Sequence, residues 1–327
     1  MKKFLLISFS LFVIIIIAYS LYSPIPEING SIFNKHRNGV WMAHSWFDEY
    51  RSNEEVSELG KRLKEYDMKY LFLHVGPLNR EGGIPLYSKK IPKSFIQRIK
   101  YANAELTVLA WIGGTNKAFG GKVDLGYPNV INKISGISKE LVNLGFDGIH
   151  INIEPLNDGD TNFINLLRSV RNEIGHKKYL SVAAMKWKSF NLPHTWHSKW
   201  FWSSGYYKEM GRLVDQMVVM VYDTAIPFKK LYILYVKSQT INVTNAVAGL
   251  RNPSTEILIG LPAYDERRLT HRPEVENIEN GLYGTISGLM NERSNKSSFG
   301  GVAIYSYWVM DNDEWKSYLR LWKGSVI

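Results

Sequence analysis

The chain has 327 residues, a formal net charge of +10 and an apolar fraction of 45%, which permits one large globular domain or two small ones. It contains no cysteine, which excludes a disulfide framework, a thiol nucleophile and a thiolate metal site. The basic residues are dispersed and no nucleic-acid motif is present, so we expect no nucleic-acid partner. The positive charge instead favours contact with anionic surfaces such as lipid headgroups or cell-wall polymers.

The N-terminal residues predict a membrane anchor. Lys2 and Lys3 precede FLLISFSLFVIIIIAYSLY, a run of about nineteen residues without a charge, which is at the lower edge for a membrane-spanning helix. The AYS at 18–20 offers a cleavage site, so residues 1–22 are either a signal anchor or a signal peptide, and we favour the anchor. The two lysines then face the cytoplasm, and we expect an extracytoplasmic protein that is bacterial and membrane-anchored or secreted.

A stalk and then a regular alternation of elements follow the anchor. Residues 23–37 predict a short linker, because Pro24 and Pro26 favour extended backbone and no period is visible. From residue 38, apolar strand-like runs alternate with amphipathic stretches, one of which opens with Ser52 followed by Glu55, the capping-box pattern of a helix start. The strand-like runs lie at 39–46, 70–76, 106–114, 145–155, 179–187, 215–223, 256–264 and 300–308.

Eight strands that alternate with helices predict an α/β fold, a (β/α)8 TIM barrel over residues 38–327. The alternative is a doubly wound open sheet, which usually carries a Gly-rich phosphate loop after its first strand, and AHSWFDEY is not one. Barrel active sites form at the C-terminal ends of the strands. Those ends are rich in aromatic rings and carry few carboxylates, which favours a neutral sugar ligand: His44, Trp46, His74, Trp111, Glu154, Met185, Trp187, Tyr222, Asp223, Tyr264, Asp265 and Trp308.

The fourth run, FDGIHINIEP at 146–155, alternates apolar and polar side chains. A strand has a two-residue side-chain period, so its three isoleucines share one face. The other face carries an imidazole, an amide and a carboxylate from His150, Asn152 and Glu154. Such a row is either a hydrogen-bonded polar layer or an active site.

This run resembles the strand-four motif DGxDxDxE of family 18 glycoside hydrolases, the chitinase-like barrels. Asp147, Gly148 and Glu154 match the motif, whereas His150 and Asn152 stand where the family has its second and third aspartates. The Asn-x-Glu arrangement is also similar to that of family 85 endo-β-N-acetylglucosaminidases.

Three further motifs extend the resemblance to about residues 38–327. WIGG at 111–114 is similar to the SxGG of strand three, with Trp111 in place of serine. MVYD at 220–223 matches the MxYD of strand six. Trp308 ends the eighth run, like the tryptophan that forms the floor of the sugar subsite in that family.

The resemblance implies a hydrolase or transglycosylase of β-linked N-acetylglucosamine glycans, which retains configuration by using the substrate's own acetamido group as nucleophile. Glu154 is then the general acid/base, Asn152 orients the acetamido group, and Tyr222 hydrogen-bonds to its oxygen. The resemblance implies no cofactor, and the chain shows no metal-ligand spacing. The residues expected to bind substrate are His150, Asp223, Trp308, Trp111, Met185, Trp46 and Tyr264.

Two other functions stay open from the residues alone. One is a non-catalytic lectin on the same barrel, and the other is a two-carboxylate glycosidase with Glu154 as acid and Asp223 or Asp265 as nucleophile. If His150 lies near Glu154, its protonation at low pH favours the carboxylate form of Glu154. We therefore expect an activity that is sensitive to acid.

Overall fold

The structure, a computed structural model, describes residues 8–9, 13–14, 17, 19–26, 30–84, 90–188, 199–251 and 254–324. Within these ranges eight parallel strands close into a barrel surrounded by helices, so the prediction of an α/β TIM barrel is confirmed. The predicted anchor at 1–22 lies mostly outside the described residues. No helix in the described part of the chain is long and apolar enough to cross a membrane.

The barrel strands follow one another around the cylinder in chain order. The first and last strands pair in parallel, Gly39 with Ala303 and Val40 with Ile304, which closes the sheet and leaves no free edge. The strands are β1 (Asn38–Met42), β2 (Met68–Pro77), β3 (Thr107–Thr115), β4 (Gly148–Glu154), β5 (Tyr179–Ala184), β6 (Gln216–Met220), β7 (Glu256–Pro262) and β8 (Phe299–Tyr305).

Helices follow the strands and cover the outside of the barrel. The predicted capping box is confirmed, since the Ser52 hydroxyl accepts from the Glu55 amide at 3.1 Å and the Glu55 carboxylate accepts from the Ser52 amide at 2.7 Å. The α-helices are α1 (Ser45–Asp48), α2 (Asn53–Glu65), α3 (Lys90–Ala102), α4 (Pro128–Leu144), α5 (Thr161–Ile174), α6 (Ser204–Leu213), α7 (Lys229–Ala246), α8 (Ile278–Met290) and α9 (Asn312–Tyr318).

Side-chain alternation divides the core into two regions. On β4 the three isoleucines, Ile149, Ile151 and Ile153, are buried between the sheet and the helices, as the sequence predicts. The opposite face of the sheet fills the barrel, where a separate cluster is built mainly from rings and branched side chains: Trp41, Tyr70, Phe72, Leu109, Trp111, Val218, Leu258 and Ala303.

A chain of polar groups runs through the interior below the mouth. Trp41 Nε1 donates to His150 Nε2 at 3.3 Å, and His150 Nδ1 lies 2.8 Å from the Ser181 hydroxyl. Ser181 donates to Gln216 Oε1 at 2.8 Å, and Gln216 Nε2 donates to Glu256 at 2.9 Å. The chain therefore satisfies buried polar atoms from β1 to β7, which a closed barrel requires because water cannot reach them.

The opposite end of the barrel is closed by an ion pair and by the chain segment before β1. Arg37 Nε lies 2.7 Å from the Glu256 carboxylate, which ends the polar chain. The Gly30 amide donates to the Arg320 carbonyl at 2.8 Å, so this part of the predicted linker contacts the C-terminal segment. The division into anchor, linker and barrel at residues 22 and 37 stays a prediction.

The close approach of β4 and β5 predicts a stability difference between two glycine substitutions. A Cβ on Gly148 would lie 2.0 Å from the Tyr179 carbonyl oxygen, whereas a Cβ on Gly136, in α4, would meet nothing within 4 Å. We expect Gly148→Ala to lower the free energy of unfolding by about 1–3 kcal/mol or more, through overpacking against backbone. Gly136→Ala should raise it by about 0.5–1 kcal/mol, through helix propensity. Urea denaturation measures the free energy of unfolding of both variants. If the two substitutions changed it equally, the close approach of β4 and β5 at Gly148 would be contradicted.

Candidate active site

A cleft of about 970 Å³ opens at the C-terminal ends of the strands. Glu154 is the last residue of β4, and Asn152 precedes it on the same inward face. The register pairs Gly113 with Asn152 and Thr115 with Glu154, so Gly113 leaves space beside the Asn152 side chain. The other residues that contribute rings or charges to the cleft are His74, Trp111, Tyr305, Lys122, Lys133 and Glu140.

The surroundings of Glu154 favour the protonated form of its carboxyl group. Burial raises its pKa above the ordinary value, and the nearby Asp223 carboxylate raises it further. The Lys186 ammonium and a hydrogen bond from Asn152 act in the opposite direction but do not cancel the effect. A carboxyl group with a raised pKa at a strand end is suited to donate a proton.

Asn152 lines the cleft, and the two ends of its amide have different surroundings. Its side chain acts on Glu154 as a hydrogen-bond donor, which lowers the pKa of that carboxyl group. The buried Oδ1 has no hydrogen-bond partner among the described residues. A buried acceptor without a partner is unfavourable, so this oxygen is positioned to bind a donor that enters the cleft.

Three tyrosine rings pack together at the ends of β6, β7 and β8, and of the three it is Tyr305 that lines the cleft. Tyr222 and Tyr305 stack with ring centroids 5.7 Å apart, and Tyr264 stands edge-on to both at 6.0 Å. Trp111 approaches Tyr305 edge-on at 6.2 Å and stacks against His74 at 4.3 Å. The Trp111 ring nitrogen has no partner among the described residues and adds a donor to the cleft lining.

The loop after β6 is bound tightly to the loop after β7. Asp223 adopts a left-handed backbone with φ of 53°, which turns the chain sharply after Tyr222. The next residue, Thr224, donates its amide to the Glu276 carboxylate at 3.0 Å. The other oxygen of that carboxylate lies 3.2 Å from His271 Nδ1, and His271 Nε2 donates to the Tyr264 carbonyl at 2.9 Å. Both loops are therefore fixed relative to each other beside the cleft.

His150 is fully buried and does not line the cleft, which corrects its expected role in substrate binding. Its two ring nitrogens are occupied by Trp41 and Ser181 in the neutral form, and burial lowers its pKa to about 3. The expectation that His150 becomes charged in mild acid and acts on Glu154 is therefore wrong. The physical reason is that β4 places it one layer below Asn152, where no water reaches it.

Three other expected substrate contacts are also placed elsewhere. Met185 is buried outside the cleft lining, and its carbonyl accepts from the Tyr207 hydroxyl. Trp46 packs on Phe95 in the helical layer, with ring centroids 5.8 Å apart. Trp308 lies three residues past the end of β8 and is 47% exposed, outside the cleft lining. The predicted strands were extended too far at their ends, so residues of the following loops were read as strand ends.

The sequence analysis missed two residues near Glu154. Tyr305, rather than Trp308, ends β8 and enters the cleft. The available signal was the two-residue side-chain period of the strand, which puts Tyr305 on the same face as Ala303. Lys186 follows Met185, where β5 has ended and a second short strand, Lys186–Trp187, pairs with Phe201–Trp202. No periodic signal could identify Lys186, because the break in the strand changes the side of the sheet that it faces.

Among the described residues, no group of three or more His, Asp or Glu side chains could hold a metal ion.

The comparisons with known proteins agree with this fold. The sequence profile of Glycosyl hydrolases family 18 matches residues 47–318, so the chain belongs to that family. No curated protein sequence matches the chain.

Solved structures of chitinases and of a spore enzyme share the barrel. A class V chitinase from Pseudomonas fluorescens Pf-5 is 14% identical, with a TM-score of 0.58 over 86% of this chain and 98% of that one. The spore cortex-lytic enzyme SleL of Bacillus cereus is 12% identical, with a TM-score of 0.57 over 88% and 74%. A chitinase from Rhizomucor miehei is 13% identical, with a TM-score of 0.55 over 88% and 100%. At these identities the likeness concerns the fold.

The buried neutral histidine predicts a loss of stability in acid. The pKa of His150 is about 3 in the folded chain and about 6.5 when unfolded, so its contribution is complete above pH 6.5 and is lost as the pH falls toward 3. Each unit below 6.5 should remove about 1.4 kcal/mol from the free energy of unfolding. His150→Gln should show a shallower slope between pH 7 and 5 in urea denaturation. Identical slopes in both proteins would contradict this assignment.

Proposed function

We propose that the chain cleaves glycans containing β-linked N-acetylglucosamine, as a hydrolase or transglycosylase, with Glu154 as general acid/base and Asn152 orienting the 2-acetamido group. The observation that carries the proposal is the pairing of two groups on one strand face. Asn152 Oδ1 is a buried acceptor without a partner in the described chain, and it lies beside a carboxyl group of raised pKa. A sugar bearing an acetamido N–H and a glycosidic oxygen complements both groups.

In this scheme the substrate supplies its own nucleophile. Asn152 Oδ1 accepts the acetamide N–H, which directs the acetamide oxygen at the anomeric carbon. The new C–O bond forms as the glycosidic bond breaks, and Glu154 gives its proton to the departing oxygen. Glu154, now a carboxylate, then takes a proton from the water that opens the oxazolinium ring, and the anomeric configuration is retained. Transfer to a sugar hydroxyl in place of water gives transglycosylation.

The tyrosines and Trp111 provide the remaining contacts in the proposal. Tyr222 is buried beside Glu154 and burial raises its pKa far above the ordinary range, so its hydroxyl stays protonated and can donate to the acetamide oxygen. Tyr305, stacked on Tyr222, offers an aromatic surface for the sugar ring. Trp111 lines the same cleft, and its ring N–H, which has no partner among the described residues, can donate to a substrate acceptor.

The natural polymer is proposed from the comparisons and from the N-terminal sequence together. The similar structures include chitinases and a spore cortex-lytic enzyme, so chitin and bacterial wall glycans are the substrates to test. The uncharged run behind Lys2 and Lys3 supports an extracytoplasmic location, anchored or secreted, where such polymers occur. The net positive charge favours approach to an anionic wall.

Removing the proton donor should abolish turnover without abolishing binding. We expect Glu154→Gln to lower kcat on chitooligosaccharides and on peptidoglycan strands by about 100-fold or more, because a general acid contributes about that factor. Affinity for the oligosaccharide, measured by calorimetry, should stay within a few fold. Binding without turnover in the parent protein would favour the lectin, and unchanged hydrolysis in the variant would remove Glu154 from the mechanism.

The role of the acetamido group is tested by substrate and inhibitor. A thiazoline that imitates the oxazoline intermediate should inhibit, and glycans without N-acetyl groups should not be cleaved. Asn152→Ala should lower kcat strongly on the acetamido substrate, because the acceptor for its N–H is lost. Cleavage of glycans without acetamido groups would instead favour a two-carboxylate mechanism with Asp223 or Asp265 as nucleophile.

A further inference from the structure

Lys186 is a buried lysine that the mechanism above does not use. It follows β5 directly, in the short strand Lys186–Trp187, and only 7% of its surface is exposed. Its ammonium group makes no hydrogen bond to the described residues, and it lies 5.9 Å from the ring centroid of Trp200. A lysine is almost never buried unless its charge is compensated, so its surroundings should contain the compensating groups.

The strand order places Lys186 between two carboxyl groups. β5 lies between β4 and β6 in the barrel, with Ile151 paired to Val182 and Ala184 paired to Val219. Glu154 ends β4 and Asp223 follows β6, so three neighbouring strands bring a carboxyl, an ammonium and a carboxyl side by side. Lys186 and Asp223 also line one small cavity of about 270 Å³.

We infer that Lys186 is the cation that controls proton transfer by Glu154, and that it supplies the charge stabilisation that a neutral Asn152 cannot. The inference rests on the proposed function and names a positioning residue for it. When Glu154 gives up its proton, a carboxylate forms in the partly buried position at the end of β4. The adjacent ammonium stabilises that carboxylate, which makes Glu154 a stronger acid than its burial alone would allow.

Lys122 and Lys133 line the same cleft, but Lys186 is the cation that acts on the pKa of Glu154, and the other groups near Glu154 do not provide this charge. Asp223 is an anion, and its field raises the pKa of Glu154. Tyr222 and Tyr305 remain neutral because burial raises the pKa of each hydroxyl. His74, across the cleft on β2, is neutral because burial lowers its pKa to about 4.

Lys186 itself responds to the same groups. Burial lowers the pKa of its ammonium, while Asp223, Glu154 and, more weakly, Glu276 oppose that effect. Asp223 thus has two effects: it favours the charged form of Lys186, and it offsets the repulsion between Lys186 and the oxazolinium cation. The arrangement predicts that Lys186 and Asp223 act on Glu154 in opposite directions.

The test is the pH dependence of kcat/KM for Lys186→Met and Lys186→Arg, with Lys199→Met as the matched control. Lys199 lies 5.3 Å from the same Trp200 ring but does not face Glu154 in the described structure. Activity needs protonated Glu154, so the alkaline limb follows its pKa. Removing the cation raises that pKa, and the limb of Lys186→Met should move up by about one pH unit or more. Lys186→Arg and Lys199→Met should stay near the parent.

Leaving-group dependence separates control of proton transfer from general damage. Lys186→Met should lower kcat more on a chitooligosaccharide, whose leaving sugar needs a proton, than on a dinitrophenyl glycoside, which needs little help. Equal losses on both substrates, or an alkaline limb that does not move, would overturn the inference. If Lys186→Met does not fold, Asp223→Asn provides the second measurement, since losing that anion should move the limb down.

A titration that needs no turnover distinguishes this inference from the proposed function. Carbon-13 NMR of the Glu154 carboxyl, assigned with Glu154→Gln, should give a higher pKa in Lys186→Met than in the parent and no change in Lys199→Met. That result supports the role of Lys186 even for a chain that hydrolyses none of the glycans. An unchanged Glu154 titration would refute it even for a chain that hydrolyses them all.

Discussion

The parallel register that holds β4 between β3 and β5 is the constraint on which the site depends. It sends the isoleucines to the helical layer and turns His150, Asn152 and Glu154 toward the barrel axis at three successive depths. A shift of one residue would reverse the two faces and place the polar groups among the helices. The same register brings Gly113 beside Asn152, which leaves room at the level where a substrate would enter.

Depth along the axis decides what each polar group of β4 does. His150, at the lowest of the three levels, is enclosed by Trp41 and Ser181 and belongs to a hydrogen-bonded chain that reaches Glu256. Asn152, one level higher, lines the cleft and has a buried amide oxygen without a partner among the described residues. Glu154, at the mouth, carries a carboxyl group whose pKa is raised by burial. The polar row therefore combines the two alternatives that the sequence left open. His150 belongs to a hydrogen-bonded layer, and Asn152 and Glu154 form the candidate site.

The distribution of charge is where this chain departs most from the motif that its fourth strand resembles. Two positions that the motif fills with aspartates hold neutral groups here, since His150 does not ionise above about pH 3 and Asn152 cannot ionise. A buried cation, Lys186, stands on the next strand position around the barrel. We propose that the charges acting on the Glu154 carboxyl group are those of Lys186 and Asp223, which follow β5 and β6. The two residues that precede Glu154 on the same face of β4 are neutral and do not supply them.

The amino-acid sequence by itself determined the number of strands, their parallel barrel and the face that β4 presents, because hydrophobic periodicity is a local property of the chain. It also predicted that Asn152 and Glu154 share one face of β4, since the side chains of a strand alternate with a period of two. It did not predict that Lys186 and Tyr305 lie near Glu154. It also did not show that Trp46, Met185 and Trp308 lie outside the cleft. Those outcomes depend on where each strand stops and how the next loop folds back, and only packing between strands distant in sequence decides them.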